Sequence, residues 1–205
     1  MPPRFLYFDL GNVILDFSVE RMLSQMAEVS GLSMETTRAA VFQEGLQRRL
    51  ESGEISTWEF YDAFRGRTGA NPDFEAICQA SAAIFEVNVQ MLSVVSQLRQ
   101  VGCRLGILSN TCEVHWRYCL NRFRILSEDF SAFALSYEIK SMKPDRALFE
   151  AAVAKTGVGP GDVFFTDDLV ENVDGAKQAG LDAVEFRGAR ALVDALRARG
   201  VQLNY

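Results

Sequence analysis

A single carboxylate, Asp9, lies where a run of apolar residues ends and a glycine-bearing turn begins. The run at 5–8 is typical of a buried strand, and Gly11 follows the carboxylate two residues later. In open α/β sheets, ligands bind beyond the carboxyl ends of the strands. Asp9 is therefore predicted to act as a nucleophile or as a metal ligand.

Two further apolar runs, at 105–108 and 163–166, end in polar residues in the same way. If all three runs are neighbouring strands of one sheet, their polar ends converge on one site. The residues that follow the second and third runs are Ser109, Asn110, Thr111, Asp167 and Asp168.

Each of these residues also has a purely structural interpretation. Ser109 or Asn110 could cap a helix, and Asp167 with Asp168 could precede a helix whose positive dipole end favours acids. Lys143, which precedes a proline, could be a solvated loop lysine. The function therefore has to be inferred from the set and its order, since short motifs taken alone are weak evidence.

The composition is that of an ordinary globular protein. Of the 205 residues, 48% are apolar and 23% are charged, and the net charge is −6. No stripe of lysine or arginine is present, so neither a nucleic acid nor an anionic membrane is expected as a partner. A phosphorylated small molecule remains possible because local charge decides its binding. The sequence favours neither a monomer nor a dimer.

The sequence predicts a cytoplasmic location. It leads directly into the first strand without a signal-peptide core, and no apolar run approaches the ~20 residues that span a bilayer. His115 is the sole histidine, and without CxxC spacing a zinc site is not expected. Four cysteines, expected to be reduced, are spread along the sequence: Cys78, Cys103, Cys112 and Cys119.

Strand and helix patterns alternate from residue 103 onward, which predicts a parallel sheet with right-handed crossovers. The predicted strands are 103–108, 130–135, 163–166 and 183–186. The predicted helices are 113–123, 145–156, 170–179 and 190–199.

The segment between Asp9 and residue 103 is far longer than the ~30 residues that a βαβ unit needs, so it is expected to hold an insertion. Its pattern is helical, with Ser18 and the Ser56–Glu59 capping box at two helix starts. A third predicted helix begins after residues 71–73 and continues through Phe85. We predict a helical cap at 17–85 and a core at 1–16 and 86–205.

Taken together, these motifs resemble those of the haloacid dehalogenase-like (HAD) hydrolase superfamily over essentially the whole chain. The resemblance implies a three-layer Rossmann-like core, a class I helical cap inserted after the first motif, and hydrolysis through an aspartyl-phosphate. Asp9 matches the nucleophile and Ser109 the hydroxyl of the second motif. Lys143 matches the lysine of the third motif, and Asp167 with Asp168 match the acidic pair of the fourth.

By this resemblance, Asp9, Asp168 and the Gly11 carbonyl would bind Mg²⁺, with Asp167 as another ligand or as an orienter of metal-bound waters. The expected substrate is a small phosphorylated metabolite. Lys143 would hold the nucleophile and a phosphate oxygen together. The residues expected to contact the substrate are Ser109, Asn110 and His115.

The sequence departs from the phosphatase pattern at Gly11. Phosphatases of the superfamily usually carry a second aspartate there, which protonates the leaving oxygen. A subgroup similar to α-D-glucose-1-phosphate phosphatase shares the glycine. This sequence resembles that subgroup at residues 8–14, at residues 53–56, and at residues 109–111 followed by His115. His115 could supply the missing proton, since the ordinary pKa of histidine is near neutrality.

Three functions remain open. A metal-dependent phosphatase acting on an anomeric or other activated phosphate is favoured, because the acidic pair beside the nucleophile would repel it without a cation. A metal-independent 2-haloacid dehalogenase also lacks the second aspartate. A catalytically weak phosphate-binding regulator is the third. Gln43, Glu44 and Arg48 are candidate specificity residues in the cap, and Asn172 is expected to orient the fourth-motif loop.

Overall fold

The computed structural model describes residues 2–204, which form a parallel sheet between layers of helices, with further helices inserted after the first strand. The strands are β1 Phe5–Phe8, β2 Leu15–Phe17, β3 Phe85–Val87, β4 Leu105–Ser109, β5 Ala132–Leu135, β6 Val163–Asp167 and β7 Asp182–Glu185.

The helices follow in chain order, and those that match predicted elements begin and end within a few residues of the predicted bounds. They are α1 Val19–Ser30, α2 Met34–Phe42, α3 Leu46–Glu51, α4 Thr57–Thr68, α5 Phe74–Ala82, α6 Val89–Gln100, α7 Glu113–Arg122, α8 Arg124–Asp129, α9 Ser136–Ile139, α10 Arg146–Ala154, α11 Val170–Gln178 and α12 Ala189–Ala198.

The five-stranded sheet has the order β5-β4-β1-β6-β7, and every neighbouring pair in it is parallel. The predicted α/β alternation with a parallel sheet is thus confirmed. Strand β1 lies at the centre, where Phe8 aligns with Ile107 on one side and Thr166 on the other. The carboxyl ends of β4, β1 and β6 therefore lie side by side.

Helices cover both faces of this sheet, because the side chains of the central strand alternate between two apolar clusters. Leu6 and Phe8 pack with α6, α8 and α12, whereas Phe5 and Tyr7 pack with α10 and α11. All four side chains are fully buried. Burying a side chain of this size contributes roughly 1.5–3 kcal/mol, so the two clusters hold β1 firmly in place.

Helices α1 to α5 form a third apolar cluster around Leu23, Val41 and Phe64. Ser18 caps α1 by accepting a hydrogen bond from the Arg21 amide. The capping box at α4 is formed in full, with Ser56 and Glu59 exchanging hydrogen bonds. These helices occupy the segment predicted as a cap.

The predicted helix ending at Phe85 is wrong beyond residue 82. Residues 85–87 form β3, which pairs antiparallel with β2 in a two-stranded ribbon that joins the inserted helices to the sheet. The Phe85 ring lies 6.0 Å from the Phe17 ring across this ribbon. Cross-strand aromatic contact, a non-local interaction, overrode the local helical pattern. The predicted cap boundaries, residues 17 and 85, lie inside the ribbon and stay a prediction.

Among residues 2–204, no helix is long and apolar enough to cross a membrane. The four cysteines are free thiols in the structure.

Candidate active site

The polar residues at the ends of β1, β4 and β6 converge at one edge of the sheet. Asp9 follows β1 directly, Ser109 ends β4, and Asp167 ends β6. Their proximity follows from strand order, since β1 pairs with β4 on one side and β6 on the other. One oxygen from each of Asp9, Asp167 and Asp168 lies within 4.8 Å of the others.

Lys143 bridges two of these carboxylates. Its Nζ lies 2.8 Å from Asp9 Oδ1 and 2.6 Å from Asp167 Oδ2, and it also donates to the Leu108 carbonyl oxygen at 3.1 Å. The lysine side chain is only 1% exposed. A buried ammonium group is stable only when it is paired and hydrogen-bonded, and these three acceptors meet that need.

Asn110 fixes the main chain at Lys143 instead of pointing freely into the site. Its Oδ1 accepts from the Lys143 amide at 2.8 Å, and its Nδ2 donates to the Lys143 carbonyl at 3.0 Å. This contact explains how a lysine from a loop between α9 and α10 reaches the end of β1. Direct contact between Asn110 and a substrate stays a prediction.

Both oxygens of Asp167 are occupied by protein donors. Oδ1 accepts from the Leu169 amide and from Asn172 Nδ2, and Oδ2 accepts from Lys143 and from the same Asn172 amide group. Asp167 therefore orients Lys143, and its role as a direct metal ligand stays a prediction. Asn172 holds the fourth-motif loop in this geometry.

Asp9 retains one oxygen for chemistry. Its Oδ1 accepts from Lys143 and from the Leu10 amide at 2.7 Å, whereas no described residue donates to Oδ2. Burial raises the pKa of Asp9 to about 6, although the charge of Lys143 opposes the shift. Burial also lowers the pKa of Lys143, but the two carboxylates outweigh it and the net shift is upward. Lys143 is thus a permanent positive charge beside the predicted nucleophile.

The donor set fits a hard divalent cation such as Mg²⁺, which prefers carboxylate and carbonyl oxygens. The three carboxylates of the cluster and the one ammonium group paired with two of them leave a local charge of −2, which a divalent ion would balance. Asp168 is oriented by Asn12, whose Nδ2 donates to its Oδ2 at 2.8 Å. The Gly11 carbonyl, a predicted ligand, accepts no hydrogen bond from a described residue.

The position of the missing aspartate is filled by an aromatic ring. A Cβ atom placed on Gly11 would lie 2.8 Å from Cε1 and 3.1 Å from Cδ1 of Phe17. A longer side chain at residue 11 would therefore require the Phe17 ring to move. The ring is 40% exposed, but it also packs against Phe85 across the ribbon, which restrains such a movement.

His115 lies near the site but as a buried, uncharged ring. Burial lowers its pKa to about 4, and a main-chain contact with Ser81 offsets only part of that shift. Its ring packs edge-on against Phe85, with 5.5 Å between centroids. A neutral imidazole at physiological pH is a poor proton donor, which argues against the predicted acid role.

A cavity of about 100 Å³ lies between the inserted helices and the edge of the sheet. Gly11, Ser109, Asn110 and His115 line its lower wall. Its apolar wall includes Phe17, Phe42, Ile84 and Phe85.

Two polar side chains of α3, Gln47 and Glu51, also line this cavity, and sequence reasoning missed both. The predicted candidates are less suitable, because Gln43 and Arg48 are exposed and Glu44 forms an ion pair with Arg67. The signal that could have found the pair is its i, i+4 spacing beside Leu46 and Leu50, which are buried on the same short helix.

The chain belongs to the haloacid dehalogenase-like hydrolase family, whose model matches residues 5–180. Four of the five strands of the parallel sheet, the inserted helices and the Asp9–Lys143–Asp167 arrangement lie in the matched range, and only the edge strand β7 lies beyond it. The chain is accordingly a hydrolase of this family.

Two curated relatives are phosphatases. D-Ribitol-5-phosphate phosphatase of Bacteroides thetaiotaomicron is 25% identical over 187 residues, covering 88% of this chain and 90% of the relative. Glyceraldehyde 3-phosphate phosphatase of Methanopyrus kandleri is 26% identical over 166 residues, covering 77% of this chain and 70% of the relative.

A solved structure has the same fold over nearly the whole chain. It is a HAD family enzyme from Bacteroides thetaiotaomicron in complex with magnesium and inorganic phosphate. The TM-score is 0.79 at 25% identity, and the likeness covers 89% of this chain and 93% of the solved chain.

Proposed function

We propose that this protein is a Mg²⁺-dependent phosphatase that hydrolyses a small phosphorylated metabolite through an aspartyl-phosphate on Asp9. The observation that carries the proposal is the buried Lys143 between Asp9 and Asp167, with Asp168 within ligand distance of both carboxylates. The phosphatase relatives and the magnesium-and-phosphate complex of a similar structure support it.

In the first step, Asp9 Oδ2 would attack the phosphorus atom and the bond from phosphorus to the ester oxygen would break. Lys143 would hold Oδ1 in place and neutralise negative charge on a phosphoryl oxygen. The Ser109 hydroxyl, buried at the end of β4, would donate to another phosphoryl oxygen. Water would then hydrolyse the aspartyl-phosphate and regenerate Asp9.

Asp9, Asp168 and the Gly11 carbonyl are the residues that would bind Mg²⁺. When bound, the ion would add positive charge beside the attacking carboxylate and the phosphoryl group. The fit rests on the local charge of −2 and on the oxygen-only donor set described above.

The leaving oxygen would depart with little help from a protein acid. Phe17 fills the space above Gly11, and His115 is held neutral by burial. General acid catalysis is typically worth 10²–10⁴-fold, so its absence favours substrates whose leaving groups are intrinsically acidic. Anomeric, acyl and aryl phosphates meet that condition better than simple alkyl phosphates.

The direct test is phosphate release from a panel of sugar, polyol, acyl and aryl phosphates, with Mg²⁺, with EDTA and with Ca²⁺. We expect activity with Mg²⁺, none with EDTA, and no rescue by Ca²⁺, whose longer and looser coordination misplaces the nucleophile. Halide release from a 2-haloacid in EDTA would instead establish the dehalogenase activity. Tight phosphate binding without turnover would establish the regulator.

A further inference from the structure

The cavity above Gly11 is apolar on the side of the inserted helices except for one polar pair. Gln47 and Glu51 lie one helical turn apart on α3, and Gln47 Nε2 donates to Glu51 Oε1 at 2.8 Å. Gln47 is only 8% exposed. Burying an amide and a carboxylate costs free energy, so a pair kept in this position calls for a function beyond packing.

The main chain at Glu51 is held next to the loop that follows β4. The Glu51 main-chain carbonyl accepts from Ser136 Oγ at 2.6 Å, and the same hydroxyl group contacts Thr111. Glu51 lines the same cavity as Ser109, Asn110 and Thr111, the residues at the end of β4 and in the loop that follows it. The pair therefore lies opposite the predicted phosphate site and does not project into bulk solvent.

One oxygen of this carboxylate lacks a protein partner. Gln47 occupies Oε1, and no described residue donates to Oε2. Burial raises the pKa of Glu51, which shows that the protein compensates its charge incompletely. A ligand group that donates a hydrogen bond would complete the site.

A hydroxyl group fits this pair better than an ammonium group. Glu51 offers an acceptor, and the Gln47 side chain offers both an amide N–H and a carbonyl oxygen. A hydroxyl both donates and accepts, so it can satisfy both residues, whereas an ammonium group only donates. The cavity of about 100 Å³ holds only several water molecules, which limits the ligand portion to a short chain.

We propose that Gln47 and Glu51 recognise a hydroxyl group on the carbon chain of the leaving group, so that the preferred substrates are phosphate esters of short polyols or sugars. This inference rests on the proposed function, because it names the substrate class of the same site. Glu51 is the specificity-determining residue, and Gln47 positions its carboxylate.

The test compares glycerol 3-phosphate with propyl phosphate, which has the same chain length without hydroxyl groups. The variants are Glu51→Gln, Gln47→Met and the control Glu28→Gln, whose glutamate is exposed on α1. We expect wild type and the control to prefer glycerol 3-phosphate by about 10-fold or more in kcat/KM, as for a hydrogen bond to a charged group. Glu51→Gln should lower the ratio to the smaller value that the more acidic leaving group of glycerol 3-phosphate gives by itself, and Gln47→Met should lower it by less.

Two comparisons separate recognition from a structural effect. Glu51→Gln should lower kcat/KM for glycerol 3-phosphate by a larger factor than kcat/KM for 4-nitrophenyl phosphate, and by a larger factor than it weakens inhibition by inorganic phosphate, since neither of these ligands carries an alkyl hydroxyl. An equal loss on glycerol 3-phosphate and propyl phosphate would overturn the proposal, as would an unchanged ratio. A wild-type preference for phosphoethanolamine over both would show that the pair binds an ammonium group.

Binding measurements by calorimetry separate this inference from the proposed function. Affinities of glycerol 3-phosphate and propyl phosphate for the Mg²⁺-loaded wild-type protein and for Glu51→Gln are measured under the same conditions. If the protein hydrolyses none of the phosphates in the panel, the proposed function fails, but a hydroxyl-dependent affinity that Glu51→Gln removes still supports the inference. Equal affinities of the two esters for wild type would overturn it.

Discussion

The two walls of the candidate active site are built differently. On the sheet wall, Lys143 and Asp167 are almost fully enclosed, and each makes three or more polar contacts within the protein. On the wall formed by the inserted helices, aromatic and aliphatic side chains surround one polar pair, of which Glu51 Oε2 has no donor among the described residues.

This difference separates two tasks. Phosphoryl transfer needs fixed charges, because only charges already in position stabilise the transition state without reorganisation. Recognition of a leaving group needs a shaped cavity and a small number of unsatisfied polar atoms. We therefore expect changes on the sheet wall to remove catalysis, and changes on the opposite wall to alter substrate choice or stability.

The largest expected effect is from Asp9→Asn, which removes the nucleophile and should lower kcat by at least ~10³-fold. The fold should persist, because the amide can still accept from Lys143 and Leu10. The measurement is single-turnover phosphate release together with a thermal unfolding curve. Asp174→Asn, an exposed change on α11, is the control. Turnover close to wild type in Asp9→Asn would rule out the covalent mechanism.

Lys143→Met should damage both catalysis and folding. It leaves Asp9 and Asp167 close together without their shared cation, and removing one partner from a buried ion pair typically costs about 3–5 kcal/mol. The free energy of unfolding from urea titration measures this loss, with the exposed Lys155→Met as control. Unfolding at the same urea concentration as wild type would show that the repulsion between the Asp9 and Asp167 carboxylates is removed without Lys143, for example by protonation.

Gly11→Asp alone should give no gain on alkyl phosphates, because Phe17 occupies the space of the new side chain. Combined with Phe17→Ala, it should raise kcat/KM for alkyl phosphates by about 10-fold or more, toward the range of general acid catalysis. The slope of log kcat/KM against leaving-group pKa should flatten in the double variant. If Phe17→Ala alone flattens this slope, the ring and not the missing acid controls the leaving group.

A change at His115 should alter the pH dependence of stability and not the catalytic rate. Its pKa is about 4 in the folded protein and about 6.5 when unfolded, so the unfolded state binds more protons between these values. This residue therefore costs no stability above pH 6.5 and up to about 3 kcal/mol as the pH falls toward 4. Urea titrations at pH 7 and 4.5 should show a shallower loss in His115→Gln. An identical loss in both proteins would mean that the imidazole is charged when folded.

Most of the sheet wall was predictable from the sequence. Apolar runs predicted the strands, and their parallel arrangement placed Asp9, Ser109 and Asp167 at one edge. Lys143 was found through its resemblance to a motif, since nothing local distinguishes it from a solvated loop lysine. The sequence did not predict which polar residues of this wall position Lys143 and which face a ligand, because Asn110 and Asp167 could equally have faced a ligand.

The wall formed by the inserted helices was not predictable from the sequence, because its shape depends on contacts between distant segments. The pattern of α3 indicates a short amphipathic helix but not that Gln47 and Glu51 meet a cavity above Gly11. Likewise, the pairing of β2 with β3 brings Phe17 against Gly11, and no local propensity encodes this approach.

The sequence by itself determined the fold class and the charged residues of the site. Apolar runs in the sequence predict the strands, and parallel strands place the residues at their carboxyl ends along one edge of the sheet. Only the tertiary structure decided the shape of the cavity, the ring that fills the place of the missing acid, and the neutral state of His115. The physical reason is that burial and steric contact depend on which surfaces pack together, and in this chain those surfaces belong to segments far apart in sequence.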